Sequence, residues 1–154
     1  MDRSDARSTD ARTWPEWVVL AFGITYLAIG VLGFAVTGGI GFAANEGDEL
    51  LGIFEVNPLH NIVHLAIGAA LVAGFMGGRR PSGIVAMVIG ATYLLVGVVG
   101  PFVTGSDANI LALNTPDHLL HIGSAAVLLF AGYAARRPEA RISDTERTEM
   151  RRAA

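Results

Sequence analysis

Val56-Asn57-Pro58-Leu59-His60-Asn61-Ile62-Val63-His64 opens a run that carries no Asp, Glu, Lys or Arg until Arg79-Arg80-Pro81. Asparagine followed by proline is favoured chemistry for a helix N-cap and first helical position. Beyond His64 every residue up to Gly78 is apolar or small. About 20 such residues in a helix cross the roughly 30 Å hydrocarbon core of a bilayer. The stretch therefore reads as the polar head of a transmembrane helix.

Three other stretches are equally free of charge: Trp17–Asn45, Pro81–Ser106 and His118–Ala135. Hydrophobic residues make up 52% of the chain and charged ones 16%, below the quarter usual in soluble domains, and the mean hydropathy is +0.49. The expected fold is all-α, a bundle of four transmembrane helices near 17–37, 57–77, 82–104 and 115–135. A polar, flexible N-terminal tail (1–13) and a charged C-terminal tail (139–154) flank a membrane domain at 14–138. With no cysteine in the chain, disulfides and thiolate metal sites are excluded.

All 11 basic residues are arginines, at 3, 7 and 12, at 79 and 80, and from 136 onwards; the connections 39–56 and 105–116 hold none. Cytoplasmic segments retain the positive excess, which puts both termini and Arg79-Arg80 in the cytoplasm. Trp14 and Trp17 suit headgroup depth at that inner interface. The net charge of −3 and the absence of a basic stripe give no footing for nucleic acid.

A second polar head, Leu113-Asn114-Thr115-Pro116-Asp117-His118-Leu119-Leu120-His121, lies on the first when shifted by 57 positions: Asn57 on Asn114, His60 on Asp117, Asn61 on His118, His64 on His121. Ile24–Gly38 likewise lies on Ala91–Gly105 at a shift of 67, with Thr, Tyr, Leu and three glycines identical. The chain thus reads as two tandem two-helix repeats, 17–81 and 82–138. An even number of spans per repeat predicts a parallel pseudo-twofold along the membrane normal. The longer first outer connection, bracketed by Phe42 and Phe54, is where a short interfacial helix is expected. Small residues recurring at Ala66, Ala70, Gly74 and Gly78 let helices approach closely, within one bundle or across a homo-oligomer seam.

Gly30–Phe34, Val56-Asn57-Pro58-Leu59-His60-Asn61-Ile62-Val63-His64 and the spacing Asn114, Asp117, His121 together resemble a bacterial and archaeal membrane family described as domain of unknown function 4383. The likeness covers about residues 17–135, and His118 stands where that family favours asparagine. It implies a four-helix membrane protein and no particular activity.

All four histidines of the chain lie in the two polar heads. His60 and His64 are four residues apart, hence on one helix face, as are Asp117 and His121. Two readings follow. In the first, Asn57, His60, Asn61, His64, Asn114, Asp117, His118 and His121 are a structural clamp at the outer ends of two helices, because polar side chains at that depth need partners. In the second, His60, His64, Asp117 and His121 hold a divalent transition metal or carry protons or a solute, with Asn61 and His118 orienting the ligands. A bis-histidine haem is disfavoured by the position of the histidines near the helix ends. The clamp is the leading expectation: a non-enzymatic membrane component whose first partner is the lipid bilayer. Tyr26 and Tyr93, equivalent under the repeat, are expected to pack at mid-span.

Overall fold

A computed structural model describes residues 11–137 and 152–153. Its elements, in order, are α1 (Trp14–Gly33), β1 (Asp48–Leu50), β2 (Phe54–Val56), α2 (Pro58–Met76), α3 (Arg79–Val103) and α4 (Thr115–Arg136). All four helices are long and apolar enough to cross a membrane. The fold is the expected all-α four-helix membrane bundle. Most of each span points outwards, with large apolar side chains such as Phe102, Phe130, Leu95 and Val88 exposed. An outward apolar surface of that extent is suited to lipid rather than to water.

Each helix boundary has a local cause. The first helix starts at Trp14, three residues before the charge-free run, because Glu16 is accommodated inside it. The Glu16 carboxylate accepts from the Thr13 backbone N–H (2.8 Å) and from the Thr13 hydroxyl (2.9 Å), and it pairs with Arg12 at 2.8 Å. Arg12 also donates to the Phe75 carbonyl at 2.7 Å and lies over the Phe75 ring. So the last residues of the expected tail, Arg12 and Thr13, are held against α1 and α2; the expected tail from 139 lies outside the described residues apart from 152–153. At its other end α1 stops at Gly33 and not at residue 37. The Thr37 hydroxyl folds back onto the Gly33 carbonyl (3.1 Å), closing the chain in turns.

Between α2 and α3 the reversal takes only Gly77 and Gly78, and Gly78 has φ 92, a conformation that favours glycine. Arg79 and Arg80 therefore form the first turn of α3 rather than a connecting turn. Arg79 donates to the Ala135 carbonyl (2.9 Å) and the Arg137 carbonyl (2.7 Å), fastening α3 to the end of α4. Pro101 sits in the last turn of α3, which continues past it to Val103.

The first connection contains no interfacial helix. It forms a β-hairpin in which Asp48 pairs with Val56, Glu49 with Glu55 and Leu50 with Phe54. Leu51 (φ 57) and Gly52 (φ 74) supply the left-handed pair that a tight hairpin turn requires. Three-residue strands carrying Asp48, Glu49 and Glu55 lack the apolar stripe that would have laid a helix on the bilayer surface.

In the bundle, α1 packs chiefly on α2 and α3 chiefly on α4. Glycines set the closeness. A side chain at Gly23 would strike Val72, and one at Gly90 would strike Leu129; Gly30 faces Leu65 and Gly97 faces Ile122. These pairs differ by the same 67 and 57 positions that relate the sequence segments. The core runs through Val19, Tyr26, Leu71, Ala86, Ile89, Tyr93, Ala125 and Leu128. The two connections, 34–57 and 104–114, meet at one end of the bundle, here the loop end.

Candidate functional site

The polar residues singled out in the sequence all sit at the loop end, and all but Asn114 are buried. The structure sorts them into two sets with different chemistry.

Every residue of the first set makes at least one side-chain hydrogen bond, although Asn61 Oδ1 and His118 Nδ1 are left without a partner. Asn57 caps α2: its Oδ1 accepts from the His60 N–H (2.8 Å), while its Nδ2 donates to the carbonyls of Ala44 (2.7 Å) and Ile110 (2.8 Å). Asn114 caps α4: its Oδ1 accepts from the Asp117 N–H (3.2 Å), and its Nδ2 donates to the Ile53 carbonyl (2.9 Å). Asp117 completes that cap by accepting from the Asn114 N–H (3.0 Å), a reciprocal arrangement that satisfies two orphan donors of a helix start. One turn in, Asn61 donates to the Thr37 hydroxyl (3.0 Å), and the His118 Nε2 bonds the Thr104 hydroxyl (2.9 Å). Asn61 occupies the space over Gly33, and the His118 ring occupies the space over Gly100.

The second set is His60, His64 and His121. Each offers a ring nitrogen, and the three nitrogens lie within 4.8 Å of one another. The rings are 2%, 6% and 4% exposed, and Nδ1 of each has no hydrogen-bond partner. His60 and His64 come from successive turns of α2, with ring centroids 4.4 Å apart; His121 of α4 faces them at 6.1 and 6.5 Å. Tyr26 stacks on His64 (5.3 Å), Tyr93 packs on His121 (4.8 Å), and the two tyrosines meet edge to face at 5.2 Å. These contacts fix the imidazole planes from below. A small cavity of about 40 Å³ adjoins the three histidines and is lined also by Val63, Ile67, Tyr93 and Leu111.

Of the four residues proposed from sequence as metal ligands, then, three converge. Asp117 is outside the group, because its carboxylate is turned back on the cap of its own helix. Asn61 and His118, expected beside the ligands, instead each bind a threonine just beyond the end of the neighbouring helix. Sequence reading passed over those threonines, Thr37 and Thr104, although the repeat places them at equivalent positions. It also passed over Asn109, which donates to the carbonyls of Asn45 (3.2 Å) and Leu113 (3.0 Å) and accepts from the Leu113 N–H (2.9 Å). Nothing local marks Asn109, since its partners come from the fold of both connections.

The family model described as Domain of unknown function (DUF4383) matches residues 16–134, a span that holds α2 and α3 whole, all but the outermost two residues of α1 and α4, and every residue of the two polar sets. The chain belongs to the DUF4383 family. No curated protein and no solved structure matches this DUF4383 chain. The family description assigns no activity; the membrane-protein frame rests on the four apolar helices, and the roles of the residues rest on their geometry.

Proposed function

We propose that this DUF4383 protein is a non-enzymatic, multi-pass component of a prokaryotic plasma membrane, locked at its outer face by a polar clamp. Both termini and Arg79-Arg80 lie in the cytoplasm, in accord with the arginine distribution. The loop end is then extracytoplasmic, and the residues that hold it together are Asn57, Asn61, Asn114, Asp117 and His118.

One observation carries the reading. The cap asparagine of α2 binds the carbonyl of Ile110 in the second connection, and the cap asparagine of α4 binds the carbonyl of Ile53 in the first. Asn57 and Asn114 differ by 57 positions, and so do Ile53 and Ile110. Each half of the molecule thus fastens the other's connection through the same atom pair. The glycine contacts, the Asn61–Thr37 and His118–Thr104 bonds, and the Tyr26–His64 and Tyr93–His121 pairs follow the same correspondence. A pseudo-twofold along the membrane normal relating repeats 17–81 and 82–138 accounts for all of them.

Hydrogen exchange in detergent tests the clamp. Asn57→Ala should raise exchange in residues 108–112, in the other half of the chain, and Asn114→Ala should raise it around Ile53. Unchanged exchange at 108–112 in Asn57→Ala would show that the connections are held by something else. His60, His64 and His121 contribute no side-chain bond to the clamp, and their burial has a separate cause.

A further inference from the structure

We propose that His60, His64 and His121 form a binding site for one divalent transition-metal ion with a preference for imidazole, of which zinc is the reference case. The site stands apart from the clamp, and its test can fail without touching that reading.

Three features converge on it. First, three converging histidine rings each have a buried Nδ1 with no hydrogen-bond partner, and the Tyr93 hydroxyl beside them has none either. The other two orphans among the described residues, Asn61 Oδ1 and His118 Nδ1, lie apart, packed over Gly33 and Gly100. A buried polar atom left without a partner costs on the order of 1–3 kcal/mol, so three in one place need a common explanation. Second, the ligand atoms already lie within 4.8 Å of one another. Tetrahedral zinc with bonds of about 2.0–2.1 Å holds its nitrogens roughly 3.4 Å apart, so closure needs movements that small changes of histidine rotamer supply. Third, the ligands come two from α2 and one from α4, a successive-turn pair plus a facing residue, which is an economical way for helices to present three nitrogens to one point.

The donor set selects the ion. Three imidazoles without a carboxylate disfavour calcium and magnesium, which take oxygen ligands, and favour zinc, copper, nickel or cobalt. A cavity of about 40 Å³ beside the rings is room for one water-sized fourth ligand and far too little for a haem. Leu111 of the second connection lines the cavity beside His60. Tyr26 and Tyr93 brace the other two rings. The competing occupant of the same space is a single water bridging the three nitrogens.

The test uses the full-length chain without a histidine tag, purified in detergent, stripped with a chelator and equilibrated with zinc or cobalt. The expected result is one metal per chain by elemental analysis. Loss of an orienting partner alone weakens metal sites about 10–100-fold, so His64→Gln and His121→Gln should each weaken binding by about 100-fold or more. His118→Gln, which removes a buried imidazole bonded only to Thr104, should leave metal content unchanged. X-ray absorption on the zinc-loaded wild type, which needs no variant to fold, should show imidazole nitrogens at about 2.0–2.1 Å. Failure of the stripped, folded wild type to take up zinc or cobalt would leave the water as occupant and overturn the site. So would an all-oxygen shell, or equal metal loss in His118→Gln and His64→Gln.

Discussion

Replacing Asn57 by alanine removes three hydrogen bonds at once, and the structure separates their contributions. The Oδ1 bond to the His60 N–H is an N-cap, whose loss costs typically about 1 kcal/mol. The Nδ2 bonds to the Ala44 and Ile110 carbonyls are different in kind, because Asn57 is 0% exposed. Both bonds are partly buried and Ile110 is itself 52% exposed, so water replaces the lost donors in part and each stranded carbonyl costs about 1 kcal/mol, the low end for a buried group. Relaxation of two connections into the outer headgroup region should recover part of that, leaving a total of about 2–3 kcal/mol. Asn57→Ser keeps the cap acceptor and loses both donors, so it should recover about 1 kcal/mol relative to alanine. Asn57→Asp keeps the cap but turns a carboxylate towards two carbonyl oxygens and should be no better than alanine. Reversible unfolding in mixed micelles, followed by circular dichroism, measures the series. An Asn57→Ala protein within about 0.5 kcal/mol of wild type would refute the claim that this residue carries the clamp.

Asn114→Ala should cost less, near 1 kcal/mol in the same assay, because its bond to the Ile53 carbonyl is solvent-exposed. Gly33→Ala and Gly100→Ala would drive a methyl into Asn61 and His118 respectively and should destabilise by about 1–3 kcal/mol. Gly123→Ala, in a helix with nothing within 4 Å of the added carbon, should be neutral or stabilising by up to about 1 kcal/mol; a large loss there would discredit the packing scheme. A double-mutant cycle on Asn61 and Thr37 should give a coupling of about 0.6–1 kcal/mol, the usual size for interhelical bonds in membranes. Since the chain has no cysteine, single cysteines at Ser4 and Ser106 report topology: position 106 should label from outside intact cells and position 4 should not.

Legibility in the sequence followed the range of the interaction. The four spans were readable because lipid solvation selects composition over a whole helix, and the Asn57-Pro58 start was readable because capping is local. The first helix was placed late because a composition window stops at the charge of Glu16, whereas Thr13 and Arg12 neutralise that charge within one turn. The hairpin was missed because its turn relies on Leu51 in a left-handed conformation, with no Asn-Gly pair to announce it. Asp117 was grouped with the histidines because the repeat superposes it on His60. The spacing Asn114 to Asp117 already contained the better assignment, a reciprocal helix cap that draws the carboxylate away. All three histidines of the group were visible: i, i+4 spacing puts His60 and His64 on one face, and the 57-position correspondence of His64 with His121 brings in the third.

The exchange between Asn57 and Ile110, and between Asn114 and Ile53, has a consequence for what counts as one molecule. In this exchange the amide of each half finds its acceptor in the other, so the two bonds themselves cannot distinguish a partner in the same chain from an identical partner in a neighbouring one. The distinction is made at the opposite end, where Gly77 and Gly78 reverse the chain so tightly that α3 must return beside α2. A linker too stiff to reverse at that point would leave both exchanged bonds possible and change only whose they are, turning a self-closed chain into a swapped pair. Two glycines far from the clamp thus decide its ownership.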